Sequence, residues 1–230
     1  MIELVVFDMA GTTVYDGDAV NESFRAALAT FGIGADPALV NTVMGLHKPE
    51  AIRILLERTG RTPAAGEVER IHDDFVKRMT NYYATNPAVR EITGASAAFA
   101  TLRRAGVKVA LNTGFSRAVA AVLLARQGWH APGVVDADVT SDEVPNGRPQ
   151  PDMIRLLMRR LGVGHPRAVA KVGDTRVDLE EGTNAGCGLV IGVTTGSFTR
   201  EQLEAYQHTH IVDSVADVPG IVLDAAAPRA

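Results

Sequence analysis

The chain is predicted to fold as a doubly wound parallel α/β sheet carrying an all-helical insert, and three observations lead there. Four short apolar runs, Ile2–Phe7, Val107–Asn112, Ala168–Gly173 and Leu189–Val193, have the continuous hydrophobicity of strands covered on both faces. Helical patterns separate them, and that alternation builds a sheet whose active site lies beyond the carboxyl ends of its strands. The alternation breaks between Asp16 and about Arg90, where helical patterns occur without a convincing strand.

Each element has its own signal. The first strand runs into Asp8-Met9-Ala10-Gly11-Thr12-Thr13, a turn rich in small and polar residues. Asp18–Phe31 then places Phe24, Leu28 and Phe31 on a helical stripe, and Asp36-Pro37 supplies a cap and a proline at the first helical position. Lys48-Pro49-Glu50 repeats that start, and Val68–Tyr83 carries Ile71, Phe75, Met79 and Tyr82 at helical spacing. Residues 16–90 are therefore expected to form a cap domain, with 1–15 and 91–230 as the core. Core helices are predicted over Ser96–Ala105, Arg117–Gln127 and Pro151–Leu161, the last stopped by Gly162. Arg103-Arg104 and Arg159-Arg160 read as solvent-facing cations at helix ends. The alanine-rich tail after Leu223 is expected to fray.

Composition narrows the function. A chain of 230 residues, 46% hydrophobic and 22% charged, can bury a core and carry an insert. Its formal charge of -4 and isolated basic pairs give no phosphate-tracking stripe, so no nucleic-acid partner is expected. The single Cys187 cannot form an internal disulfide and reads as a small core residue. The first ten residues lack a basic leader segment and a membrane-length apolar run, so a cytoplasmic protein without a membrane partner is expected.

Three polar signals fall at the ends of predicted strands: Asp8, Thr113-Gly114 after Asn112, and Gly173-Asp174-Thr175-Arg176-Val177-Asp178. Any one aspartate after a strand could simply cap the next helix. Three at one sheet edge make a site. Carboxylates without a His or Cys cluster suit a hard cation, for which Mg²⁺ is the expectation.

Those segments, with Arg148-Pro149-Gln150-Pro151-Asp152, stand in the order and spacing of the haloacid-dehalogenase-like superfamily, which the chain resembles over nearly its whole length. The resemblance implies a Rossmann-like core and an Asp8 nucleophile that forms an aspartyl-phosphate. Gly11, Thr12, Thr113 and Gly114 would bind the phosphoryl group, and Arg148 would neutralise charge. Mg²⁺ would be held by Asp8, the Ala10 carbonyl and Asp174, with Asp178 in support. The physics agrees: a carboxylate attacks an anionic phosphoryl group only where that charge is neutralised.

Ala10 narrows the resemblance. Many relatives have a second aspartate there, which protonates the leaving group. Ala10 followed by Gly11-Thr12-Thr13 resembles the phosphonatase branch, which cleaves the C–P bond of phosphonoacetaldehyde and has no alkoxide to protonate. In that branch a lysine in a Met-Gly-Leu-x-Lys segment forms a Schiff base with the aldehyde. This chain reads Met44-Gly45-Leu46-His47-Lys48, and Val144-Pro145-Asn146-Gly147-Arg148-Pro149 also resembles the branch. A lone lysine at a helix start is ordinarily solvated. Loss of the acid together with gain of an electron-sink amine points instead to a phosphonate hydrolase.

The chain departs from the branch at two positions. Ala51 and Asp18 stand where relatives have a histidine and a cysteine, with His47, Asp16 or Asp18 as possible substitutes. A phosphate-monoester phosphatase is the alternative reading; a metal-free dehalogenase and an inactive binding protein fit the motifs less well. The resemblance also implies a homodimer formed through the cap. His208 and His210 read as structural or exposed.

Overall fold

The structure is a computed structural model that describes residues 1–225. Strand β1 (Leu4–Phe7) leads through the short β2 (Val14–Tyr15) into four helices: α1 (Ala19–Thr30), α2 (Pro37–Asn41), α3 (Lys48–Arg58) and α4 (Glu67–Thr85). The chain returns through β3 (Arg90–Glu91), which pairs antiparallel with β2 at the base of the helical insert. It then alternates through α5 (Ala95–Arg104), β4 (Lys108–Thr113), α6 (Arg117–Gln127), β5 (Ala137–Thr140), α7 (Asp152–Leu161) and β6 (Val169–Gly173). The remaining elements are α8 (Arg176–Ala185), β7 (Leu189–Val193), α9 (Arg200–Glu204), β8 (His210–Val212) and α10 (Val218–Asp224).

The six long strands form one parallel sheet in the order β5-β4-β1-β6-β7-β8. The order reverses around β1, so the carboxyl ends of β1, β4 and β6 open side by side into a crevice. The expected doubly wound α/β fold is present, and the four predicted central strands occupy its middle. Both faces of β1 are buried. Leu4 and Val6 join Ile154 and Leu157 of α7, whereas Val5 and Phe7 join Phe99 and Leu102 of α5. Alternation within a fully apolar strand thus serves two hydrophobic layers.

The edge strands were not predicted. β5 lies in a stretch broken by Asp136 and Asp138, which pair with Arg103 and Arg117, and β8 begins with the exposed His210. Edge strands tolerate such charges because one side is solvated. Helix ends fall close to their signals: Asp36 accepts from the Leu39 N–H, and Gly162 closes α7 with φ 67°. α10 continues through Asp224, and the expected fraying beyond it falls on 226–230, outside the described residues.

The insert packs onto the crevice by aromatic contact. Phe24 of α1 stacks on Phe75 of α4 at 4.5 Å between ring centroids, and Phe75 approaches Phe115, just past β4, at 6.4 Å. The turn before α3 meets the core at glycines. A Cβ on Gly114 would lie 2.7 Å from the Leu46 carbonyl oxygen and 2.8 Å from that of Gly45. One on Gly147 would lie 2.8 Å from His47 Cβ. Gly114→Ala is therefore expected to hold this turn away from the core. Steady-state kinetics should show roughly a 10–100-fold loss in kcat/KM, the rate equivalent of an overpacking cost of about 1–3 kcal/mol, with little change in melting temperature.

Candidate active site

Asp8 follows β1 directly, and its backbone N–H donates to the Val172 carbonyl of β6, fixing the turn to the sheet. Its carboxylate is nearly buried and meets Arg148, whose Nη2 donates to Asp8 Oδ1 at 2.6 Å and to the Asn112 carbonyl at 2.7 Å. The other arm of Arg148 donates to Asp178 Oδ1 at 2.8 Å, and its Nε lies 3.4 Å from Glu181 Oε2. One guanidinium thus spans three carboxylates, which its planar fork of donors allows.

Asp174 is held from several sides. Thr12 Oγ1 donates to its Oδ1 at 3.1 Å, and the Ser197 N–H donates to its Oδ2 at 2.7 Å. Any Cβ on Gly11 or Gly196 would approach Oδ2 to 2.5 or 2.0 Å, so both positions require glycine. Asp178 caps α8 in a reciprocal pair with Thr175 and accepts from Lys171 Nζ at 2.9 Å. Burial, then the charges of Asp8 and Asp178, push the Asp174 carboxyl up to about 8. Burial is also the main cause that raises Asp8, against Arg148.

These residues fit a divalent cation. Asp8, Asp174 and Asp178 can each present one oxygen, all within 4.8 Å of one another. Around them the four carboxylates of Asp8, Asp174, Asp178 and Glu181 outnumber the three buried cations, Lys48, Arg148 and Lys171. A hard dication on oxygen ligands offsets that excess and allows the carboxylates to ionise together.

Lys48 is buried, at 4% exposure, rather than solvated as a helix-start lysine ordinarily is. Its Nζ sits 5.0 Å from the ring centroid of Phe115 and 5.4 Å from that of Phe24. It shares a pocket with Asp8, Ala10, Thr113, Gly114, Arg148 and Asp174. Burial first, and then the charge of Arg148, lower its pKa from 10.5 to about 8. The pocket is small, about 30 Å³, and adjoins a cavity of about 250 Å³ lined by Ala10, Gly11, Asp16, Asp18 and Met44.

The sequence-predicted residues fall as follows. Asp8, Ala10, Lys48, Thr113, Gly114, Arg148 and Asp174 line one pocket. Asp178 lies just beneath it, fully buried, with both oxygens engaged by Arg148, Lys171 and Thr175. Gly11 lines the adjoining cavity, whereas Thr12 is fully buried with its hydroxyl on Asp174. Ala51 sits in the apolar core, His47 is half-buried against Gly147, and Asp18 is exposed. Cys187 is partly buried, and burial pushes its thiol up to about 12.

Sequence reasoning missed Lys171 and Glu181, which support the floor of the site. The available signal was a lysine inside a strand otherwise covered on both faces. It also left undecided Asp16, which is buried and accepts from the Tyr83 hydroxyl at 2.6 Å.

Fold and site together define a hydrolase built around an aspartate at the end of the first strand. The haloacid dehalogenase-like hydrolase family profile matches residues 2–186. A phosphonoacetaldehyde hydrolase of Bacillus cereus is 30% identical, over 93% of this chain and 85% of the relative. One from Bacillus anthracis is 31% identical, over 88% and 81%. A crystal structure of a phosphonoacetaldehyde hydrolase-like protein from Oleispira antarctica superposes with a TM-score of 0.84 at 27% identity, covering 97% of this chain and 92% of that one. The chain belongs to the haloacid dehalogenase-like hydrolases and, within them, to the phosphonatase-like branch. No helix among the described residues is long and apolar enough to cross a membrane.

Proposed function

We propose that the protein is a Mg²⁺-dependent hydrolase that cleaves the C–P bond of a small aldehyde phosphonate, with phosphonoacetaldehyde as the first substrate. The observation that carries this reading is a buried amine, Lys48, lowered to about 8 and placed in the pocket of Asp8 where Ala10 supplies no acid. At pH 7.5 such an amine is roughly one quarter neutral, against about 0.1% for an unperturbed lysine. Neutral Lys48 attacks the aldehyde carbon and, with loss of water, forms an iminium. Asp8 then attacks phosphorus while the P–C electron pair moves into the iminium, giving an enamine and an aspartyl-phosphate. Thr113 and the Gly114 N–H orient the phosphoryl oxygens, and Arg148 offsets their charge. Mg²⁺, held by Asp8, the Ala10 carbonyl and Asp174 with Asp178 in support, would add electrostatic stabilisation of the phosphoryl group. Splitting the reaction between Lys48 and Asp8 replaces one difficult displacement with easier steps.

The test is a phosphate-release screen of phosphonoacetaldehyde against phosphate monoesters, on wild type and Lys48→Ala. The expected result is release from the aldehyde phosphonate, lost in Lys48→Ala. Preference for monoesters and indifference to Lys48 would support the phosphatase alternative. Because the neutral amine reacts, kcat/KM for the phosphonate should fall on acidification as Lys48 protonates, about tenfold per pH unit at the acid end of the profile.

A further inference from the structure

We infer that the Asp16 carboxyl is the proton-transfer group for Schiff-base formation and hydrolysis at Lys48. This inference rests on the proposed role of Lys48 and supplies what that role leaves unassigned. A neutral amine adds to an aldehyde to give a carbinolamine, whose hydroxyl leaves as water only after accepting a proton. The carbinolamine nitrogen cannot hold that proton for it, because its lone pair must stay free to expel the water. Arg148 is committed to Asp8, Asp178 and Asn112, and Asp8 must remain free to attack phosphorus. Ala51 carries no proton, and His47 does not line the pocket.

Asp16 meets the structural requirements. It is 94% buried on the converse of its 6% exposure, yet lines the cavity adjoining the Lys48 pocket. The two spaces share Ala10, Val20, Met44 and Ser197 along their boundary. Two successive tyrosines of α4 fix it: the Tyr82 hydroxyl donates to the Asp16 carbonyl at 2.9 Å, and the Tyr83 hydroxyl donates to Oδ2 at 2.6 Å. The donors to its carboxylate are the Tyr83 hydroxyl and a backbone N–H, both neutral, and the carboxylate borders the cavity. A carboxylate in a protein interior is ordinarily paired with a cation. Asp16 has instead neutral donors and a cavity.

The side chains that act on it electrostatically are Tyr83, Asp18 and Asp8, and Asp16 in turn acts on Lys48. Burial, chiefly, raises its carboxyl to about 6, so part of it carries a proton near neutrality. Protonated Asp16 gives its proton to the carbinolamine hydroxyl. The C–O bond breaks, water leaves, and the nitrogen lone pair forms the C=N bond of the iminium. After P–C cleavage the enamine carbon takes a proton from bulk solvent to give an iminium again, and the Asp16 carboxylate takes a proton from the water that adds to it. Asp16 is thereby returned to its starting state.

The experiment follows the rate at which borohydride traps phosphonoacetaldehyde on Lys48, with Mg²⁺ present. Asp16→Asn is neutral, nearly isosteric and still accepts from Tyr83, so its fold should hold. Its trapping rate should fall about 100-fold or more, in the range of general acid catalysis. In Asp16→Ala, added formate should enter the vacated space and restore trapping at least about tenfold, which a purely structural role would not permit. Wild-type trapping rates in Asp16→Asn, or Asp16→Ala unresponsive to formate, would overturn this inference alone. Absence of any Lys48 adduct in wild type would overturn the lysine reading and this inference with it.

Discussion

Lys48→Met is expected to abolish phosphate release from phosphonoacetaldehyde, by about 10⁴-fold or more, in a protein that is more stable than wild type. The rate follows from the leaving group. Without an iminium the P–C electron pair has only a carbanion to form, and Ala10 offers no acid in place of the missing sink. The stability follows from burial. Lys48 has its pKa lowered from 10.5 to about 8, so the folded protein resists protonation that the unfolded chain accepts. Below pH 8 the native state holds an unfavourable buried charge, at a cost of about 3 kcal/mol. The cost shrinks as pH rises from about 8 and vanishes above about 10.5, where both states are neutral. Methionine removes the charge and keeps the stem between Phe24 and Phe115. Chemical denaturation should therefore show Lys48→Met more stable at pH 7 and the difference closing by pH 10.5. Equal stability at pH 7 would contradict the burial argument.

Arg148→Met is expected to fail in the opposite sense, losing both activity and stability. Arg148 is 3% exposed and donates to Asp8 and Asp178 while standing 3.4 Å from Glu181. Truncation leaves this group of carboxylates with Lys171 as the buried cation still in contact with it. Breaking such a network costs about 3–5 kcal/mol, because charge stays buried without its partner. Phosphate release should fall about 10³-fold, since the positive charge beside Asp8 is lost. Arg148→Lys should lie between, restoring charge but not the fork that spans three acceptors. Thermal melts and single-turnover phosphate release separate the two effects. A stable Arg148→Met protein would show that the network contributes less than its geometry implies.

The central strands were legible because burial on both faces leaves an unbroken apolar run, as in Leu4–Phe7 and Leu189–Val193. β5 and β8 were not, since edge positions relax that requirement and admit Asp138 and His210. The residues around Asp8 were legible because each follows a strand in sequence and the topology gathers strand ends. Glu181 was not: it lies along α8, and only its placement beneath Asn112 reveals its part. The burial of Lys48 was equally hidden, because a Lys-Pro helix start reads as surface. Phe24 and Phe115, 91 positions apart in the chain, enclose the amine only after the insert folds onto the core. The Asp16–Tyr83 contact likewise joins positions separated by 67 residues.

The proposed chemistry requires that Lys48 join covalently to its substrate. Borohydride reduction with phosphonoacetaldehyde, followed by mass analysis of the peptides, tests it most directly. A reduced adduct is expected on the peptide carrying Lys48, absent without the aldehyde. An unmodified Lys48 in a protein that still releases phosphate from phosphonoacetaldehyde would contradict it.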